Sequence, residues 1–203
     1  MKISCNWLKD YCKHDLSAEK LAESLTNAGL VVDTINPVED DFCLEVEVTS
    51  NRPDCLGFIG VAREVATIVR GKLDIPDVNY GATDEKINDV TSVSIEDKEL
   101  CQRYTARVIK DVKIGPSPEW LQKKISSIGL RPVNNIVDIT NYILMESGQP
   151  LHAFDFDKLS ENRIVVRRAK KGETMEAIDG SKCVLTEDML VIADAQRPVA
   201  IAG

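Results

Sequence analysis

Apolar positions along this chain recur in two periods, and the change from one to the other marks most of its elements. Over 17–28, Leu21, Leu25 and Ala28 return at helical spacing on one face. Ser17 is a capping residue, Leu16 and Leu21 stand at the two positions of a hydrophobic staple, and Gly29 suits the left-handed residue past the end. At 43–48 the period shortens: Leu44, Val46 and Val48 alternate with Glu45 and Glu47, which predicts a half-buried strand. The turn T-S-N-R-P-D-C-L-G follows, with Pro53 ahead of a cap at Asp54, and 56–70 reads as a second helix ended by Gly71. The stretch 74–89, rich in Asp, Gly, Pro and Asn, reads as a linker.

Beyond it, 104–112 holds the β-branched and aromatic residues that strands favour, and a strand is expected there. Ser117-Pro118 predicts a helix start, a capping serine followed by proline at the first helical position. Trp120, Leu121, Ile125 and Ile128 would form that helix's buried face, with Gly129 at its end. A further helix is expected over 135–146, stopping at Gly148, and short strands at 164–168, 183–185, 190–193 and 199–201. Helices grouped before a run of strands define an α+β chain. The pattern divides it into a small helical amino-terminal domain, 1–80, and a mixed α/β domain, 91–203. Trp7 and Trp120 are expected to anchor their cores, and His14 to be exposed.

Composition adds limits. The chain is 43% hydrophobic and 29% charged, enough to bury a core, and no run approaches the ~18 apolar residues of a membrane span. The first twenty residues mix charges throughout, without a secretory apolar stretch, so a cytoplasmic location is expected. Cys5, Cys12, Cys43, Cys55, Cys101 and Cys183 are scattered and form no C-x-x-C pair, which argues against a zinc, redox or disulfide framework. The net charge of −8 sits in the first part: residues 1–90 carry 9 Lys/Arg against 17 Asp/Glu, whereas 91–203 carry 16 of each. Phosphate binding is therefore disfavoured in the first part. Nucleic-acid contact, if present, falls to Arg163, Arg167, Arg168, Lys170 and Lys171; a charged strand edge that resists aggregation accounts for the cluster more simply. The chain has no G-x-x-x-x-G-K-[ST] loop, no G-x-G-x-x-G and no paired acidic metal motif.

Three stretches carry a family likeness. They are the opening M-K-I-S-C-N-W-L-K-D-Y with L-A-E-S-L-T-N-A-G-L, the run L-E-V-E-V-T-S-N-R-P-D-C-L-G-F-I-G-V-A-R-E-V-A, and R-P-V-N-N-I-V-D-I-T-N-Y-I-L-M-E-S-G-Q-P-L-H-A-F-D over 131–155. Together they resemble the amino-terminal region of bacterial-type phenylalanyl-tRNA synthetase beta subunits, and the final R-P-V-A-I-A-G resembles the approach to that family's glycine-rich segment. The resemblance implies that 91–203 is part of an editing domain with a β-sandwich-like core, continuing past Gly203. Family members usually insert an oligonucleotide-binding-fold domain after the first helix–strand region; here about ten residues, 33–42, bridge that place. The resemblance further implies an alpha-subunit partner in a heterotetramer of two alpha and two beta chains, phenylalanine tRNA as substrate, and ATP and magnesium as holoenzyme cofactors used on the alpha subunit. No cofactor or metal is expected on this chain.

The activity implied for this region is hydrolysis of tyrosine wrongly esterified to phenylalanine tRNA. An apolar pocket rejects an analogue with one added hydroxyl by only about a hundredfold, whereas a second site that hydrogen-bonds the phenol discriminates by about ten-thousandfold or more. By motif match, the editing-site positions are Thr140 and Asn141 in D-I-T-N-Y, His152 in Q-P-L-H-A-F-D and Gly203 in A-I-A-G, with Arg131 near the same cleft. A hydroxyl can orient a carbonyl or a water, an imidazole can share a proton near neutral pH, and glycine lets backbone approach an ester. Each has a plainer reading: a mid-helix threonine often bonds the carbonyl one turn back, and a lone loop histidine is often structural. A stand-alone tRNA-binding or trans-editing module, or a scaffold without activity, are the competing functions.

Overall fold

A computed structural model of the chain describes residues 1–81, 83–178 and 180–202. They fall into two compact units, each assembled from two stretches: Met1–Asn79 with Lys113–Ala153, and Tyr80–Val112 with Phe154–Gly203. These units do not follow the linear division at residues 80 and 91. The physical reason lies in the core of the first unit, where Ile128, Leu130, Tyr142 and Met145 pack with the amino-terminal residues.

In the first unit, strands β1 (Lys2–Ser4), β2 (Val32–Val38) and β3 (Asp41–Val46) form an antiparallel sheet in the order β1-β3-β2. The strand expected at 43–48 is β3, shifted two residues toward the amino terminus. Five helices accompany the sheet among the described residues: α1 (Cys5–Leu8), α2 (Ala18–Asn27), α3 (Phe58–Val69), α4 (Glu119–Ser127) and α5 (Asn135–Ser147). α2 starts as the sequence predicts, with the Ser17 hydroxyl accepting from the Lys20 N–H at 3.3 Å and with Leu21 and Leu25 fully buried. α3 follows a 3-10 turn, Pro53–Cys55, and ends one residue earlier than expected. Arg70 itself takes the left-handed conformation (φ +53°), and the Gly71 N–H closes on the Ala66 carbonyl at 2.8 Å.

Trp7 anchors this core. Its ring stacks between Phe58 (centroids 4.1 Å) and Tyr142 (4.9 Å). Trp120, expected as the second anchor, is instead 54% exposed and meets the edge of Tyr142 at 5.7 Å. His14 also departs from expectation: it is half-buried, and neither ring nitrogen has a hydrogen-bond partner. The six cysteines are free thiols, and Cys5, Cys12, Cys43 and Cys55 are buried.

The second unit contains β4 (Ser92–Ile95), β5 (Arg163–Arg168), β6 (Thr174–Glu176), β7 (Lys182–Val184), β8 (Leu190–Ala193) and β9 (Pro198–Ile201). Four of them form a sheet in the order β4-β5-β8-β9, in which β4 runs parallel to β5 and the other pairs are antiparallel; β6 and β7 make a separate hairpin. Every residue of β8 is buried because both faces of the sheet are covered. On one face Val165, Val191 and Ala193 pack with Leu185 and with Met175 and Cys183 of the hairpin. On the other, Val166, Leu190 and Ile192 pack with Ile95, Tyr104 and Phe154. The strand expected at 104–112 is not formed. A strand needs a partner for its N–H and C=O groups, and this segment takes up neither outer edge of the sheet, β4 or β9. The segment instead runs over the surface, with Ile109 73% exposed and Asp111 at φ +58°.

The fold is thus α+β. Among the described residues, no helix is long and apolar enough to cross a membrane.

Candidate functional site

The longest motif brackets α5, and its first half is consumed in fixing the start of that helix. The Asn134 side-chain oxygen accepts from the Ile136 and Val137 N–H groups, both at 3.0 Å, satisfying two donors that a helix end leaves open. Asn135 ties the helix to the preceding segment: its amide donates to the Lys113 carbonyl at 2.9 Å and accepts from the Gly115 N–H at 3.2 Å. Asp138 is fully buried, and its carboxylate accepts from the Val133 N–H at 2.9 Å and from the Ser117 hydroxyl. Ser117 is therefore not the cap of α4. A buried carboxylate demands donors, so the hydroxyl goes to Asp138 and α4 begins at Glu119 without a side-chain cap.

The second half of α5 is held by aromatic and glycine contacts. Tyr142 stacks on Trp7, and one turn further the Glu146 carboxylate accepts from the Tyr11 hydroxyl at 2.7 Å. That hydroxyl also accepts from the Trp7 indole N–H at 3.0 Å and lies 3.3 Å from the Tyr142 hydroxyl. Burial, with the hydrogen bonds to Tyr142 and Glu146, pushes the Tyr11 phenol far above its ordinary range. Gly148 ends the helix at φ +74°. Its backbone lies against Gly57, where an added Cβ would come within 2.6 Å of the Gly148 nitrogen.

The sequence-assigned residues lie along and around this helix. Thr140 and Asn141 are half-buried at its middle, Arg131 is exposed ahead of it, and His152 is exposed beyond Gly148. The helix itself is about 20 Å long at 1.5 Å per residue, so Arg131 and His152 flank its two ends. Gly203 lies outside the described residues. The Thr140 hydroxyl donates to the Val137 carbonyl at 2.8 Å, the local bond that a mid-helix threonine commonly makes. An open cleft of about 470 Å³ in the same unit is lined by Asp10, Glu39, Asp40, Asp41, Lys123 and Lys124 among others, and by none of these four.

Two further clusters are resolved by their partners. In the second unit, Arg167 makes a two-pronged pair with Glu173 (2.9 and 2.8 Å), and Arg168 pairs with Asp97. The Arg167 guanidinium holds the Glu173 carboxyl down at about 2. Arg163 reaches Glu161 at 3.3 Å, while Lys170 and Lys171 are exposed. The basic run is thus largely matched by acids of its own unit. In the first unit, Asp54, Cys55 and Glu64 stand close enough to share an ion, but the Arg52 guanidinium occupies their centre. It contacts Asp54 at 3.0 and 2.9 Å, the Cys55 sulfur at 3.0 Å and Glu64 at 2.8 Å. Its hydrogen bond lowers the Asp54 carboxyl to about 2, and burial raises the Cys55 thiol to about 11. Arg52 and Asp54 of the N-R-P-D motif belong to this charge centre.

Sequence reasoning missed Tyr11, Asp138, Tyr142 and Glu146. Tyr142 and Glu146, four apart on one helix face, were legible as a pair; their partner Tyr11 was not, because it lies 131 and 135 positions away.

By fold, the chain is of the class found in tRNA-synthetase beta subunits. It matches the crystal structure of an N-terminal fragment of the phenylalanyl-tRNA synthetase beta-subunit from Pyrococcus horikoshii over 100% of this chain and 60% of that one, with a TM-score of 0.51 at 15% identity, a likeness of fold alone. The B3/4 domain family matches residues 100–203, and the chain belongs to that family. It is 46% identical over all 203 residues to the phenylalanine–tRNA ligase beta subunit of Rhodopirellula baltica, of which it spans 30%. It is 51% identical over 163 residues to that of Moorella thermoacetica and 49% over 164 residues to that of Carboxydothermus hydrogenoformans, spanning 20% of each.

Proposed function

We propose that this chain serves a phenylalanine–tRNA ligase as part of its beta subunit, and that its B3/4 region contributes to hydrolysis of mischarged tyrosyl-tRNA. The observation that carries the reading is the 46% identity maintained along the whole chain to a beta subunit of that name. Charging of phenylalanine tRNA, with its ATP and magnesium, is assigned to an alpha subunit, in a cytoplasmic assembly of two alpha and two beta chains. In the hydrolytic step, Thr140 and Asn141 would orient the ester and its attacking water and His152 would share a proton with that water, with Arg131 serving the tRNA; Gly203 is assigned to the same step by motif match alone.

The test uses the complete beta subunit assembled with its alpha subunit. His152→Ala is expected to slow tyrosyl-tRNA hydrolysis by ~10²-fold, the low end for loss of a proton-sharing group, and Thr140→Val to slow it less. Phenylalanine charging should not change. The bond from Thr140 to Val137 favours a second reading, in which this helix is only a scaffold. Wild-type hydrolysis rates in both well-folded variants would establish that scaffold reading and remove the site from this stretch.

A further inference from the structure

Helix α5 is clamped along its carboxy-terminal half by residues far away in sequence, and this clamp has no evident need to be polar. An all-apolar contact would hold the helix as firmly; instead the structure buries the Tyr11 hydroxyl among the Trp7 indole N–H, the Tyr142 hydroxyl and the Glu146 carboxylate. Hydrogen bonds are directional, and a satisfied buried network selects one arrangement where apolar packing tolerates several. Here the quantity selected is the rotation of α5 about its own axis. Successive helical residues turn by about 100°, so Tyr142 and Glu146 lie on nearly the same face. Thr140 lies about 200° from Tyr142, on the far side of the helix. Fixing one face of the helix fixes where the other points. Gly57 against Gly148 sets the depth at which the helix end docks, and the Asn135 and Asp138 bonds hold its start.

We infer that Tyr11 and Glu146 are positioning residues for the hydrolytic site: their hydrogen bond sets the rotation of α5 and so the orientation of Thr140 and Asn141. The inference rests on the reading of those two residues given above. It assigns to the first eleven residues of the chain a role in hydrolysis without contact to the substrate. Misplacing a reacting group by 1 Å costs on the order of 100-fold in rate.

The experiment is a double-mutant cycle in the complete beta subunit assembled with its alpha subunit, read by tyrosyl-tRNA hydrolysis and by phenylalanine charging. Tyr11→Phe keeps the ring and removes the hydroxyl; it should lower kcat for hydrolysis about 3- to 10-fold, with KM for tyrosyl-tRNA and charging unchanged, a fraction of the loss for a displaced group. Glu146→Leu should have the same effect, and the two together should cost no more than either alone, since both remove one coupling. Glu146→Gln, whose amide oxygen still accepts from Tyr11, should restore most of the rate. Should Tyr11→Phe fail to fold, the Glu146→Leu and Glu146→Gln pair decides alone. Wild-type kcat in folded Tyr11→Phe or Glu146→Leu, additive losses, or parallel loss of charging would overturn the inference. Thr140→Val in the same series separates the two failures. If it slows hydrolysis while Tyr11→Phe does not, the positioning role alone is wrong; if neither does, the site itself is misplaced.

Discussion

His14 shows how a single side chain can place a pH limit on a fold. Burial, and secondarily the nearby Lys9 charge, lower its pKa beneath the ordinary 6.5, and its ring nitrogens have no acceptor ready for a second proton. The unfolded chain then binds that proton more readily than the folded one, so stability is highest above pH 6.5 and declines as pH falls below it. Urea unfolding midpoints at pH 7.5 and 5.5 should show this decline in the wild type and a smaller one in His14→Gln; equal declines would exonerate His14. Glu173 has the same sign at lower pH. Held at about 2 by Arg167, against an ordinary value near 4.5, it contributes stability that is complete above pH 4.5 and lost as pH falls toward 2. Removing the guanidinium leaves the mostly buried carboxylate without its partner, and Arg167→Ala should cost about 3 kcal/mol in denaturant unfolding. A cost below the ~1 kcal/mol of a surface pair would mean the pair is effectively solvent-screened.

At the scale of elements, close backbone approach matters as much as helix propensity. A Cβ at Gly60 would lie 1.7 Å from the Asp54 carbonyl oxygen, so Gly60→Ala is expected to cost more than about 4 kcal/mol, enough to abolish cooperative melting. Gly29 has open space around its Cβ position but stands at φ +95°; Gly29→Ala should cost only about 1 kcal/mol. A reversed ranking in thermal melts would show that the α3 turn yields where it looks rigid. Helices α2 to α5 and strands β3, β5, β7, β8 and β9 were legible because each writes its own period or caps in adjacent residues: Ser17 before α2, Gly148 after α5, the unbroken L-V-I-A of β8. Helix α1 and strands β1, β2, β4 and β6 were not, being short or mostly polar. What was misjudged depended on distant partners. The segment 104–112 has strand-like composition but pairs with no strand and stays mostly exposed, Ser117 is drawn from its local role by Asp138, and Trp120 stays outside while Trp7 packs with Phe58 and Tyr142. The same holds for the candidate site, where the family resemblance, not spacing, singled out Thr140, Asn141 and His152, and no local pattern could show the clamp on α5.

For the whole molecule, the connection from 74 to 81 carries no regular structure and exposes Ile75, Val78 and Tyr80. Limited proteolysis followed by mass spectrometry is expected to cut first between 74 and 89, as exposed unpaired backbone is cut before helix. Early cleavage within 136–145, with that stretch intact, would contradict the described packing of α5. Because each compact unit is made of two separated stretches, residues 1–80 by themselves lack Ile128, Tyr142 and Met145 of their own core. That piece should give no cooperative melt, whereas adding 113–153 should restore one.

The interleaving also bears on synthesis and on inheritance. A ribosome that has released the first 79 residues has not yet supplied the helix that covers Trp7, so the amino-terminal core must wait for residue 153 and keep its aromatic face from other chains meanwhile. A genetic crossover at any single point in this segment would divide at least one unit, so recombination that exchanges one unit and leaves both whole requires three breaks, at the three boundaries between the stretches. Its two units are therefore expected to descend together.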